Sequence, residues 1–253
     1  MNKVIATAAE AVADIGDGAV IAVAGLCSAG VPQQLLAALA EAKVRDITFA
    51  CGVGPLQAAP EIVSRLLSEH RIRKIIDSYP LRVSPESGIS DPLEQSVRNR
   101  EIELEIYPMG TLVEKYRAAG AGIPAFYTHT GIGSEVAEHI ITNIPENRLP
   151  VETREINGRQ CILEYALRPD FALLRAELAD TLGNLRFQKT SRNFGPVMAK
   201  AARITIVEVE EIVMPGTISG DDIHLPGIFV QRLVQVPAAA CRVDYHDIEG
   251  EDQ

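Results

Sequence analysis

Residues 17–32 read DGAVIAVAGLCSAGVP, and no charged side chain occurs from Gly18 to Ala40. Such a run has the length of a membrane span, but Gly25, Ser28, Gly30, Pro32 and the pair Gln33-Gln34 break it in the middle. The pattern predicts instead a strand over Ala19–Ala24, a tight turn, and a helix over Gln33–Lys43. Pro32 stands at the helix entry, where a first turn accepts proline. A continuous apolar strand is one covered on both faces, the habit of parallel sheets.

The same alternation runs outward from this stretch. Asp46–Cys51, Lys74–Asp77 and Glu101–Tyr107 read as strands, the last half-exposed; Lys3–Ile15, Pro60–His70 and Asp91–Arg98 read as helices. The second half is richer in strands, over Cys161–Ala166, Phe171–Arg175 and Ile204–Val209, with a short helix over Pro196–Ala202. The expectation is an α/β fold with a mostly parallel sheet and helices on both faces. It forms one domain over residues 1–236, followed by an acidic, flexible tail, PAAACRVDYHDIEGEDQ, over 237–253.

Composition narrows the partners. The chain has 253 residues, 47% hydrophobic and 23% charged, with 24 Lys plus Arg against 34 Asp plus Glu, a net charge of −10. Such a surface repels nucleic acid and anionic membranes, so neither is expected as a partner. Glu10 and Asp14 interrupt the N-terminal apolar stretch, so no signal peptide is read there. The four cysteines, Cys27, Cys51, Cys161 and Cys241, are scattered among apolar neighbours. They are expected as reduced core thiols of a cytoplasmic protein. No H-E-x-x-H occurs among the dispersed histidines, and a metal site is not expected.

Several strand ends carry glycine turns, the way an open α/β sheet builds a cleft. Gly25-x4-Gly30 has P-loop spacing, but Val31-Pro32 replaces the Lys-Ser/Thr that would touch phosphate. Amides at the helix start after Gly30 would favour an anion or a developing oxyanion. CGVGP at 51–55 starts like a dinucleotide fingerprint, but Gln57 stands at its third glycine. YPMGT at 107–111 passes from a strand into a helix. GAGIPAFYTHTGIGSE at 120–135 sets four glycines around Phe126-Tyr127, with Thr128 and Thr130 as hydroxyl donors beside Gly131 and Gly133. Glu135 could act as nucleophile or base; a helix start capped by Ser134, with Glu135 in its first turn, is the simpler reading. VEVEE at 207–211 reads as a solvated strand end, and His224 as a locally bonded loop residue. Arg192-Asn193 could bind a carboxylate or pin a loop.

Together DGAVIAVAGLCSAGVP, GTLVEKYRAAGAGIPAFYTHTGIGS, SRNFGPVMAKAARITIVEVEEIV and IHLPGIFVQRLV resemble the A (alpha) subunit of class I 3-oxoacid CoA-transferases, from about Ala8 to Val236. The resemblance implies a NagB/RpiA-like fold and transfer of CoA between carboxylic acids, typically from succinyl-CoA to a 3-oxoacid. It also implies a separate B (beta) subunit, in a heterotetramer or larger, with CoA as substrate and no cofactor. In that family the nucleophilic glutamate stands in an S-E-N-G setting of the B subunit. Here Val136-Ala137 follow Ser134-Glu135, so no catalytic residue is assigned to this chain.

The alpha half of the cleft does transfer. It comprises Gly25, Leu26, Gly30 and Pro32 from the first strand–turn element, with Gly52 and Val53 from the second. Met109 and Gly110 come from the P-Q-G-T-L element, and Thr128, Thr130, Gly131 and Gly133 from the glycine-rich one. The bare backbone at 120–133 is expected to leave room for CoA or the partner's catalytic loop, with Phe126-Tyr127 anchored in the core. Ala24 and Leu26, Gly52-Val53-Gly54-Pro55, and Met109 depart from the family's G-G-F, N-N-A-G and glutamine. These departures point to an acyl site more apolar than usual. Two other readings stay open: an acyl-CoA hydrolase or ring-opening enzyme on the same fold, and a non-catalytic ligand-sensing domain. Against the last, GLCSAGVP and CGVGP carry no basic residue for a phosphate.

Overall fold

A computed structural model describes residues 2–80 and 91–237. Strand β1 (Val4–Ile5) and helix α1 (Ala8–Ala11) precede β2 (Val20–Val23), α2 (Gln33–Glu41), β3 (Ile47–Ala50), α3 (Pro60–Ser68) and β4 (Ile72–Asp77). Then come α4 (Pro92–Arg98), β5 (Glu103–Ile106), α5 (Met109–Gly120), β6 (Ala125–Thr128) and β7 (Ile141–Thr142). The chain continues through β8 (Thr153–Ile156), β9 (Arg159–Tyr165), β10 (Phe171–Asp180), β11 (Leu185–Arg186), α6 (Gly195–Ala201), β12 (Ile204–Val213) and β13 (Arg232–Gln235).

The main sheet has the order β1-β13-β12-β10-β2-β3-β4-β5-β7, with β11 paired to β10. Its pairs are parallel except those of β7 and β11. Successive strand residues point to opposite faces, and the core divides accordingly. Ile21, Val23 and Phe49 pack with Leu35 and Leu39 of α2, Val63 and Leu66 of α3, and Leu93 of α4. Ala22, Ala24 and Ala50 face the other way, where their small side chains admit Leu112 and Tyr116 of α5 and Met198 of α6. Helices therefore cover both faces, as the apolar strands predict. The fully buried leucines of α2 each contribute about 1.5–3 kcal/mol.

Four local expectations change. The stretch from Lys3 to Ile15 is not one helix. Val4 and Ile5 pair with Leu233 and Val234 of β13, and Thr7 then caps the short α1 by accepting from Glu10 N at 3.1 Å. Phe126 and Tyr127 are only half-buried, because β6 joins β9 and β8 in a separate three-stranded antiparallel sheet instead of the core. Cys27 is exposed on the turn after β2, whereas Cys51 and Cys161 are buried as expected. Glu208 is fully buried, since β12 runs on to Val213 and leaves it in mid-strand. Cys241 and tail residues 238–253 lie outside the described residues.

Candidate functional site

The parallel strands β2, β3, β4 and β5 end side by side, and their turns form one edge. After β2, Leu26 and Ala29 exchange backbone hydrogen bonds of 2.9 Å, closing the turn that holds Cys27. Val53 O accepts from Cys27 N at 2.8 Å, which ties the turns after β2 and β3 together. Gly25, Leu26, Gly30, Pro32, Gly52 and Val53 are therefore brought into one cluster.

Much of that bare backbone is filled from within. A Cβ on Gly30 would lie 2.8 Å from the backbone of Ser191, and one on Gly52 would lie 2.1 Å from Cδ2 of the Phe194 ring. The SRNFG segment thus packs onto both turns through Ser191 and Phe194. Asn193 takes φ +26 there, and its Oδ1 accepts from Phe194 N at 2.6 Å.

The helix start after Gly30 is also occupied. The carboxylate of Glu208 accepts from Gln34 N at 2.9 Å and Leu35 N at 3.1 Å, the orphan amides of the first turn of α2. Arg175, adjacent in register on β10, reaches Glu208 at 3.3 Å and Glu210 at 2.5 Å. Burial pushes the Glu208 carboxyl up to about 7, against the two amides and Arg175. These two amides are taken by the protein's own side chain, not held for an external anion.

Asp77 at the end of β4 ties the turns after β3 and β4 together, a role that was not legible in the sequence. Its buried carboxylate accepts from Ser78 N at 2.7 Å and from Gly54 N and Tyr79 N at 3.2 Å, and the Ser78 hydroxyl donates to Gly52 O. Burial pushes it up to about 6. The signal in the sequence was IIDSYP at 75–80, a strand ending in a short polar residue.

Met109 opens α5 and is 48% exposed. It lines a depression of about 500 Å³ with Ser78, Pro108, Ser134, Glu135 and Val136. Gly110, the next residue, faces open space. The glycine-rich loop after β6 thus meets the strand ends at this depression. Thr128 Oγ1 accepts from Thr130 N at 3.2 Å, so this hydroxyl turns inward on its own loop. Gly133 faces open space, but at Gly131 (φ +93) a Cβ would lie 2.7 Å from Val136 Cγ1. Glu135 begins a single 3-10 turn that Ser134 does not cap; the Ser134 hydroxyl donates to Gly131 O at 2.7 Å instead. His224 accepts from Phe187 N at 3.0 Å and stacks on that ring, a structural role.

Exposed Glu135 and crowded Gly131 give opposite expectations. Glu135→Gln should keep most activity, since a substitution at an exposed position on a single 3-10 turn changes stability by only about 0.5 kcal/mol. Gly131→Val meets both the positive φ and Val136, and should cost at least ten-fold in kcat/KM. Steady-state rates of the two variants check this; a large loss in Glu135→Gln would make that carboxylate catalytic.

An α/β protein with an open parallel sheet and a cleft at the carboxyl ends of its strands is the class this geometry defines. The chain matches the Coenzyme A transferase family over residues 5–236 and belongs to that family. It is 41% identical over 239 residues to the A subunit of succinyl-CoA:3-ketoacid coenzyme A transferase from Xanthomonas campestris pv. campestris (strain B100), covering 94% of this chain and 90% of that one. Among solved structures, the acyl-CoA transferase YdiF of Escherichia coli O157:H7 superposes with a TM-score of 0.77 at 21% identity. The match covers 93% of this chain but 47% of YdiF, so this chain spans about half of that protein. Glutaconate coenzyme A-transferase of Acidaminococcus fermentans gives a TM-score of 0.76 at 21% identity, covering 94% of this chain and 77% of that one. Both share the fold. Among the described residues no helix is long and apolar enough to cross a membrane.

Proposed function

We propose that this chain is the A (alpha) component of a heteromeric coenzyme A transferase that moves CoA from succinyl-CoA, or a similar acyl-CoA, to a 3-oxoacid in the cytoplasm. One observation carries the reading: the 41% identity over 94% of the chain to the corresponding subunit of such an enzyme. In this reading a glutamate of the B subunit attacks the thioester carbonyl and expels the CoA thiolate, leaving an acyl-glutamyl anhydride. The thiolate then attacks the glutamyl carbonyl, releases the donor acid and forms an enzyme–CoA thioester. The acceptor carboxylate reverses these steps, so electrons balance with CoA as substrate and no cofactor. The strand-end edge of this chain, from Gly25 to Val53 with Met109, Gly110 and Thr128–Gly133, forms the facing wall of the cleft in a heterotetramer or larger assembly.

The test is co-expression with a B subunit carrying S-E-N-G, followed by assay for CoA on the acceptor acid. The complex should transfer CoA and the single chain should not. Transfer by the single chain, or free CoA without acceptor turnover, would overturn the proposal, the second in favour of a hydrolase.

Met109 bears on substrate choice. A glutamine there could hydrogen-bond an acyl carbonyl, whereas a thioether is a weak acceptor and no donor. An unpaired polar group costs roughly 1–3 kcal/mol. Met109→Gln should shift kcat/KM about ten-fold toward acetoacetate relative to a longer 3-oxoacid, the low end of that range. An unchanged ratio would place Met109 outside the acyl site.

A further inference from the structure

Behind the depression at Met109 lies a second, more enclosed space of about 230 Å³, between β5, α5 and the three-stranded sheet. The two share Ile106, Tyr107, Val136 and Ile141 as lining residues, so they adjoin. Its remaining apolar lining includes Ile140 and Leu163. Protein interiors are close-packed and leave few voids larger than a water. A recess of this size beside the candidate cleft, apolar over more than half of its wall, has room for an apolar group.

The charged groups on its wall are already engaged. Lys115, only 6% exposed, pairs with Glu164 at 2.7 Å and sits 4.2 Å over the ring of Tyr107. The Tyr107 hydroxyl donates to Glu105, which Lys74 also pairs. Glu152 accepts from the Tyr127 hydroxyl at 2.7 Å. His139 also lines the pocket, its Nδ1 3.1 Å from Ile140 O; a carboxylate seeking Lys115 would have to displace Glu164, and would meet Glu152 and Glu164 as like charges. An alkyl chain displaces nothing.

Resting on the function proposed above, we propose that this inner pocket receives the apolar tail of the acyl group, while the carboxyl or thioester end stays at the outer depression beside Ser78 and Met109. At about 30 Å³ per water-sized group, the pocket takes roughly six to eight carbon groups. The substrate class is thus a medium-chain acid, not acetoacetate alone.

Octanoate and acetate titrated calorimetrically into the full chain test the pocket without any transfer step. Octanoate should bind more tightly than acetate. Val151→Phe, which places a ring into the pocket, should weaken octanoate at least ten-fold. Leu163→Ala, which enlarges it, should shift the preference from octanoate to decanoate. Absence of octanoate binding, or equal octanoate affinity in all three proteins, overturns the pocket. Transfer to octanoate and other acids is then measured in the complex with the B subunit. Failure of all transfer there overturns the proposed function and leaves the calorimetric result to decide the pocket.

Discussion

Glu208→Ala is expected to lower the unfolding free energy by about 3–5 kcal/mol, the cost of removing one partner from a buried ion pair. The variant leaves Arg175, itself 7% exposed, with Glu210 as its ion-pair partner among the described residues. It also leaves the amides of Gln34 and Leu35 without their acceptor. Urea denaturation of both proteins measures the loss. A cost below 1 kcal/mol would mean that water replaces the carboxylate. The pH dependence has a definite sign. Burial raises the folded-state value of Glu208 from 4.5 to about 7. The stability tied to this raised value is therefore full below the ordinary glutamate value and is lost as pH rises to about 7, while the contacts to Arg175 and the two amides remain. Within that window the slope is at most about 1.4 kcal/mol per pH unit. The advantage of wild type over Glu208→Gln should accordingly shrink between pH 5 and pH 7 and stay flat above. An advantage that grows with pH would make the ionised pair the stabilising form.

Gly52→Ala is the second large effect. The added Cβ would lie 2.1 Å from Cδ2 and 2.4 Å from Cε2 of Phe194, so the ring must move, in the segment that also packs on Gly30. Overpacking of this kind costs typically about 1–3 kcal/mol. Because the displaced segment holds the turn after β2, kcat/KM should fall as well. Phe194→Ala in the same chain should recover part of the stability lost, a coupling that a double-mutant cycle reads directly. Additive losses would show that Phe194 is not what excludes a side chain at Gly52.

The helices over α2, α3, α4 and α6 and the core strands β2, β3, β4, β10 and β12 were legible in the sequence to within a few residues at most ends. β10 and β12 were the exceptions, read about half as long as they are. Each is a short apolar run or an amphipathic period bounded by glycine, proline or a capping residue. That pattern depends on local geometry and on which face is dry, and a sequence displays both. The cluster of glycine turns was legible for the same reason.

What filled those turns was not. Glu208 in VEVEE looks like a solvated strand end until β10 and α2 flank it, because its burial and its amide partners come from elements distant in the chain, α2 more than a hundred residues away. Gly30 and Gly52 look like room for a ligand until the SRNFG segment arrives from the second half of the chain. Phe126-Tyr127 looks like core because Phe and Tyr are apolar, yet an antiparallel edge with β9 leaves it half-exposed. Periodicity and backbone freedom are local, so the α/β class, the parallel sheet and the glycine-lined strand ends could be read residue by residue. Which bare backbone is packed and which is open, and which carboxylates are buried, depend on long-range contacts and the exclusion of water, and these exist only once the chain has folded.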